Sequence, residues 1–314
     1  MEGSMKQLID EDLHRSLVTV YRVSDYLDFP FTLREVADFF LPGADISANE
    51  LRRMILNGDF KDIPFKVESD CLLTRPDQNP RIRLIRESMS EQKLMSAGEF
   101  ASFLVRLVPW VMTIAVTGSV AYGSAGKRDD IDLFIITRRN RLWLSIFFAL
   151  ILVRLFKTLH LQPTHLVPFC MSYVHDEHGF RNETRKSINP LFARELLKAV
   201  PLVGKSHYRR LLEENGWVQR LHASSYHAKL KSLPKSDLEP ARPKEIPIIL
   251  DWADAFTFFW LSRYLHLRAF LTNLRLESRG QHMRLFEPLI SRNSCVYSSN
   301  FYGWLRQLWQ EPIA

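Results

Sequence analysis

Two aspartates one residue apart, Asp130 and Asp132, open the apolar run IDLFII, and a Gly118-Ser119 pair closes the apolar run before it. In an extended strand, side chains two apart share a face, so the carboxylates are expected side by side at a strand start. Two acids held together repel, and one pKa rises unless a cation sits between them. A divalent ion resolves that conflict; magnesium in particular is held by one or two carboxylates together with substrate phosphates. Gly118 lets backbone approach a phosphate, while the Ser119 hydroxyl and N–H, at the start of a following helix, suit phosphate oxygens. The plain alternative is that the acids solvate a strand end, with Lys127 and Arg128 as partners, as exposed charge clusters commonly do.

Other chemistries fit these residues poorly. A P-loop needs glycine where Ala121 stands and Ser or Thr where Arg128 follows Lys127. A dinucleotide fingerprint fails because the glycines fall at 118, 123 and 126. Ser119-Val-Ala departs from the G-x-S-x-G of a hydrolase elbow. His175 and His178 in HDEHG, with Cys170, leave a zinc site one ligand short.

The stretch Gly118-Ser119-Val-Ala121-Tyr-Gly123-Ser-Ala125, followed by Asp129-Asp130-Ile-Asp132, resembles the nucleotidyltransferase superfamily typified by DNA polymerase beta, most closely its small bacterial and archaeal members. Over about residues 20 to 220 the layout is similar to an uncharacterised bacterial group within that superfamily, in which a winged helix precedes the motif. The resemblance implies an α/β (α+β) fold: a mixed sheet with flanking helices. It implies nucleotidyl transfer, with a nucleoside triphosphate as substrate and Mg2+ or Mn2+ as cofactor. Asp130 and Asp132 would be the catalytic metal ligands, and Gly118, Ser119 and Lys127 would bind the nucleotide. Relatives often carry arginine where this chain has Tyr122, and they add a third carboxylate on a neighbouring strand. The matching strand, PFCMSYV, offers Ser172 there, so Asp176, Glu177 and Glu195 are the remaining acids for that role. The acceptor is open among a small molecule, a protein side chain and an RNA end. The alternative is a catalytically degenerate domain that senses nucleotide or contacts DNA or protein.

The elements that must position these residues follow from pattern. Thr32-Leu-Arg-Glu35 and Ser47-Ala-Asn-Glu50 read as capping boxes opening helices over about 33–41, stopping at Pro42-Gly43, and 48–57, stopping at Gly58. A longer helix at about 11–26 precedes them, and FKVESDCLLT reads as a hairpin turning at Ser69-Asp70. This predicts a winged-helix domain over residues 1–85, its third helix offering Arg52, Arg53 and Asn57 to DNA or a protein partner.

The nucleotidyltransferase domain is expected over 86–228: a helix at about 88–107, strands at 112–117, 131–136 and 166–174, and helices at 141–157, 189–199 and 205–222. HDEHG reads as a loop. A proline-rich linker at 229–247 and a helical extension at 248–314 complete the chain. The basic residues between Lys205 and Lys244 read as a solvated face or as a guide for a polyanionic acceptor.

The 314 residues are 46% hydrophobic, enough for a full core, and the net charge of +7 favours anionic partners. Three scattered cysteines argue against a disulfide framework, and with a polar N-terminus they lead us to expect a cytoplasmic protein. LWLSIFFALILVRLF, at 142–156, meets Arg154 too early to span a bilayer and reads as a core helix; its basic flanks leave an interfacial helix as the lesser alternative, so a membrane is not an expected partner.

Overall fold

The computed structural model describes residues 2–41, 46–158, 169–186, 190–236 and 249–310. The first part runs α1 (Glu2–Leu27), β1 (Phe31–Thr32), α2 (Leu33–Phe39), α3 (Ala48–Asn57), β2 (Lys66–Glu68) and β3 (Cys71–Leu73). Its strands form a small antiparallel sheet in the order β1-β3-β2. Thr32 opens α2 with a complete capping box: its hydroxyl accepts the Glu35 N–H at 3.1 Å and Glu35 takes back the Thr32 N–H at 2.9 Å. At Ser47 the hydroxyl accepts the Glu50 N–H at 3.2 Å. Gly58 ends α3 with φ of 82°, where a glycine has no Cβ to clash. The Pro42-Gly43 stop lies outside the described residues. Ser69 and Asp70 both take positive φ in the β2–β3 turn, as a tight hairpin requires.

α4 (Ile82–Leu107) starts earlier than its apolar periodicity predicts, so RIRLIR forms its first turns. A tertiary partner explains the extension: Arg83 grips both oxygens of Glu35, at 2.9 and 3.1 Å, and Glu87 at 3.0 Å. The basic segment thereby ties α4 to α2.

The chain continues through β4 (Val111–Thr117), α5 (Gly118–Ala121), β5 (Ile131–Thr137), α6 (Leu142–Thr158), β6 (Phe169–Asp176), α7 (Glu177–Lys186), α8 (Pro190–Lys198) and β7 (Val200–Val203). Then come α9 (Lys205–Glu213), α10 (Trp217–Leu221), α11 (Ala223–Ser232), α12 (Ile249–Glu277), β8 (Phe286–Ile290), β9 (Ser294–Ser299) and α13 (Asn300–Gln310). Among the described residues six strands form one mixed sheet in the order β7-β4-β5-β6-β9-β8, in which only β5 and β6 run parallel. The α/β class with flanking helices holds. Alternation sorts the sheet's faces: Leu133 and Ile135 pack with α4, α6 and Leu265 of α12, while Phe134 and Ile136 pack with α8 and α9.

Several boundaries differ from expectation. β7 was not foreseen; its Pro201 is tolerated because β7 is an edge strand. The helix read at 205–222 is broken at Asn215-Gly216, where the Asn215 side chain takes the Trp217 indole N–H at 3.1 Å. HDEHG is not a loop but the end of β6 and the start of α7. Lys229 to Ser232 belong to α11 rather than to a linker, and Lys229 Nζ donates to the Ala199 carbonyl at 2.5 Å. Residues 237–248 of that linker lie outside the described residues.

The C-terminal part is helical in α12 and α13, but between them it adds the β8–β9 hairpin to the sheet, with Cys295 opposite Val174 of β6. That pairing joins residues more than a hundred positions apart, which no local pattern announces. α13 returns to the N-terminal part, where Phe301 stacks on Tyr26 with ring centroids 5.1 Å apart.

Candidate functional site

β4 and β5 are antiparallel neighbours, and their register sets Thr117 opposite Asp132. The residue after Thr117 is therefore forced against the aspartate. Gly118 takes φ of 64°, and a Cβ added there would overlap Asp132 Oδ2. Conformation and space both demand glycine at this position. The Gly-Ser turn and the carboxylate are thus in contact, brought together by strand pairing alone.

β6 lies on the other side of β5, with Cys170 opposite Asp132. The carboxylates of Asp130 and Asp132 and the Cys170 thiol lie within 4.8 Å of one another. Ser172, two residues on, donates its hydroxyl to Asp132 Oδ1. Burial first, then the neighbouring Asp130 charge, pushes the Asp132 carboxyl up to about 8. Asp130 is raised too, mainly by burial, and hydrogen-bonds the Cys170 thiol, itself driven well up by burial. No cation is among the main influences on Asp132, and Lys93 is a minor one on Asp130. Paired, desolvated carboxylates this short of positive charge fit a divalent cation, and the hard oxygens suit magnesium or manganese.

The loop before β5 is fastened from beneath by α4. Lys93, fully buried, donates Nζ to the Gly126 carbonyl at 2.7 Å and to the Asp129 carbonyl. Ser90 Oγ accepts the Ala125 N–H at 3.1 Å, and Asp129 Oδ2 closes the turn on the Gly126 N–H at 2.7 Å. Burial lowers the Lys93 pKa, offset in part by Asp129 and Asp130. Sequence reasoning passed over this lysine, although it stands on the stripe of Ala97, Phe100 and Leu104 that α4 buries.

From the other side, α8 supports the turn. Glu195 is buried; its carboxylate hydrogen-bonds the Gly118 backbone and accepts the Tyr122 hydroxyl at 3.0 Å, with Arg194 at 3.6 Å. Burial raises its pKa. Of the three acids weighed for a third carboxylate, only Glu195 approaches the site, where it braces the Gly-Ser turn and adds to the field on Asp132. Asp176 is buried at the opposite end of β6, accepting the Gly179 N–H at 2.7 Å and the Asn140 N–H at 3.3 Å. Six residues from Cys170 along a strand is about 20 Å, so Asp176 and the adjoining Glu177 do not join the pair. The histidines of HDEHG part as well: His175 is buried at the strand end, while His178 is exposed on α7 and bonded to Asn182.

The Gly-Ser turn and Asp130 border different cavities. One, about 460 Å³, is lined by Gly118, Ser119, Asp129 and Glu195 together with Arg86, Arg194 and Arg284. The other, about 160 Å³, lies between β6 and α12 and is lined by Asp130, Phe169, Cys170, Arg268, Thr272 and Tyr297. Lys127 stands exposed on the turn between α5 and β5.

Comparison with known families matches residues 98–202 to the nucleotidyltransferase domain. That span reaches from within α4 to β7 and includes the Gly-Ser turn, both aspartates and Glu195. No curated protein and no solved structure matches the chain.

Proposed function

We propose, from the match of residues 98–202 to the nucleotidyltransferase domain, that the protein transfers a nucleoside monophosphate from a triphosphate to an acceptor, with release of pyrophosphate. The observation that carries the reading is the contact of Gly118 with Asp132, because it sets a phosphate-binding turn directly against one of the paired carboxylates.

In this reading Ser119 and the turn's N–H groups hold the β- and γ-phosphates. Arg86 and Arg284 at the cavity wall attract the polyanion, and Lys127 closes on it from the exposed turn. Asp130 and Asp132 hold magnesium or manganese, which when bound stabilises charge on the attacking and leaving oxygens of an in-line displacement. Ser172 and Cys170 orient the two carboxylates, and Lys93 holds the backbone that carries Asp130. The acceptor reaches the α-phosphate from the side of the smaller cavity, past Asp130. It is a small molecule, a protein side chain or an RNA end, and the setting is the cytoplasm.

The test is transfer of label from α-labelled ATP, CTP, GTP and UTP in magnesium or manganese, with cell extract as acceptor source. Label transfer or pyrophosphate release that disappears in Asp130→Ala/Asp132→Ala supports the enzyme. Turnover unchanged in that variant refutes it.

A second reading is favoured by one feature, the hydroxyl and thiol of Ser172 and Cys170 where a third carboxylate is expected. It is a domain that binds nucleotide without turning it over and signals through the N-terminal part. The helix, strand, helix, helix, hairpin order there supports a winged helix, and exposed Arg52, Arg53 and Asn57 on α3 suit contact with DNA. Micromolar nucleotide binding without any product supports this reading over the first.

A further inference from the structure

We infer that the outward face of α12 docks along an anionic lipid surface. The inference does not depend on the proposed reaction. A helix buried on one face normally turns polar residues outward, and one that is apolar all round belongs in a core or a bilayer. α12 packs inward through Ser262, Leu265 and Ala269, yet its opposite face is also apolar. Trp252, Phe256, Trp260, Leu267, Phe270 and Leu274 recur at spacings of three, four or seven residues, so they form one stripe. Trp252 is 76% exposed, Phe256 68%, and Trp260 and Phe270 58% each. From Trp252 to Leu274 the stripe runs about 33 Å, well beyond an ordinary surface patch.

Charge decides what covers it. Between Asp254 and Glu277 the helix has no acidic residue, while Arg263, Arg268 and Arg275 are exposed along it. Arg263 lies over the Phe259 ring, 3.7 Å from guanidinium carbon to centroid. The adjoining α6 also lacks acids and exposes Phe147, Ile151 and Leu155. A second copy's stripe would offer these arginines no acid over residues 255–276. A lipid surface offers apolar depth for the tryptophans and phenylalanines and phosphates for the guanidinium groups. Among the described residues no helix is long and apolar enough to cross a membrane, so α12 lies along the surface rather than through it.

The experiment is co-sedimentation of the full chain with vesicles of phosphatidylcholine alone and of phosphatidylcholine mixed with phosphatidylglycerol. We expect binding to the mixed vesicles, weakened by high salt and reduced about tenfold or more by Trp260→Glu and by Phe256→Glu. Arg263→Gln/Arg275→Gln should abolish the preference for the anionic vesicles. These side chains are exposed, so the fold is retained; the salt dependence of the wild type tests the inference without any substitution. Three results overturn it: no sedimentation with either vesicle, equal binding to both regardless of salt, or a dimer in solution that Trp260→Glu dissociates while vesicle binding is absent.

Discussion

Replacing Asp132 by asparagine should make the metal-free protein more stable while removing its chemistry. The carboxyl is partly buried next to Asp130 and is raised from 3.8 to about 8. Because the folded pKa lies above the unfolded one, folding favours the protonated form. The stability this provides is complete below about pH 4, declines as pH rises through the interval, and is lost above about pH 8. That rise, at about 1.36 kcal/mol for each pH interval it spans, sets a ceiling of about 6 kcal/mol on the cost of ionising Asp132 in the fold. Relaxation and water entry reduce such penalties, so we expect a gain on the order of 2 to 4 kcal/mol for Asp132→Asn at pH 8. Asparagine keeps an oxygen to accept the Ser172 hydroxyl, so the packing is preserved. Thermal unfolding in chelator at pH 5 and pH 8 reads the effect. The variant should exceed the wild type by about 5 °C or more at the higher pH and by less at the lower. Magnesium or manganese should raise the wild type's midpoint and leave the variant's unchanged. A variant less stable than the wild type at pH 8, or a difference independent of pH, would refute the account of a carboxylate pair short of positive charge.

Three further outcomes follow from the same geometry. Gly118→Ala must carry a Cβ at φ of 64° against Asp132, so it should lose at least about 2 kcal/mol in urea unfolding and bind nucleotide more weakly in a fluorescence titration. Lys93→Met removes the donor to the carbonyls of Gly126 and Asp129; a loss of about 2 kcal/mol and faster amide exchange in the loop before β5 are expected, measured by hydrogen exchange. His175 is buried with neither ring nitrogen hydrogen-bonded, and burial lowers its pKa to about 4; its contribution is present above about pH 6.5 and lost as pH falls towards 4, so His175→Phe should remove about 3 kcal/mol of acid sensitivity from urea midpoints compared at pH 7 and pH 4.

What the sequence by itself determined is local. The Gly-Ser to Asp-x-Asp spacing places turn and acids together because β4 and β5 are successive strands joined by the short α5 and a turn, so their pairing rests on one local connection. Capping at Thr32 and Ser47, the stop at Gly58 and the Ser69-Asp70 turn were legible for the same reason: each rests on bonds within a few residues. The tertiary structure alone decided who stands beside those acids. Cys170 and Ser172 reach Asp132 through a parallel pairing across α6, Glu195 arrives on a helix packed against the sheet, and the β8–β9 hairpin joins from the far end of the chain. Periodicity in α12 cannot tell a helix buried on every side from one with an uncovered face. Only the packing reveals that Trp252, Phe256, Trp260 and Phe270 stand exposed, because burial depends on which distant elements arrive and not on the order of residues within the helix.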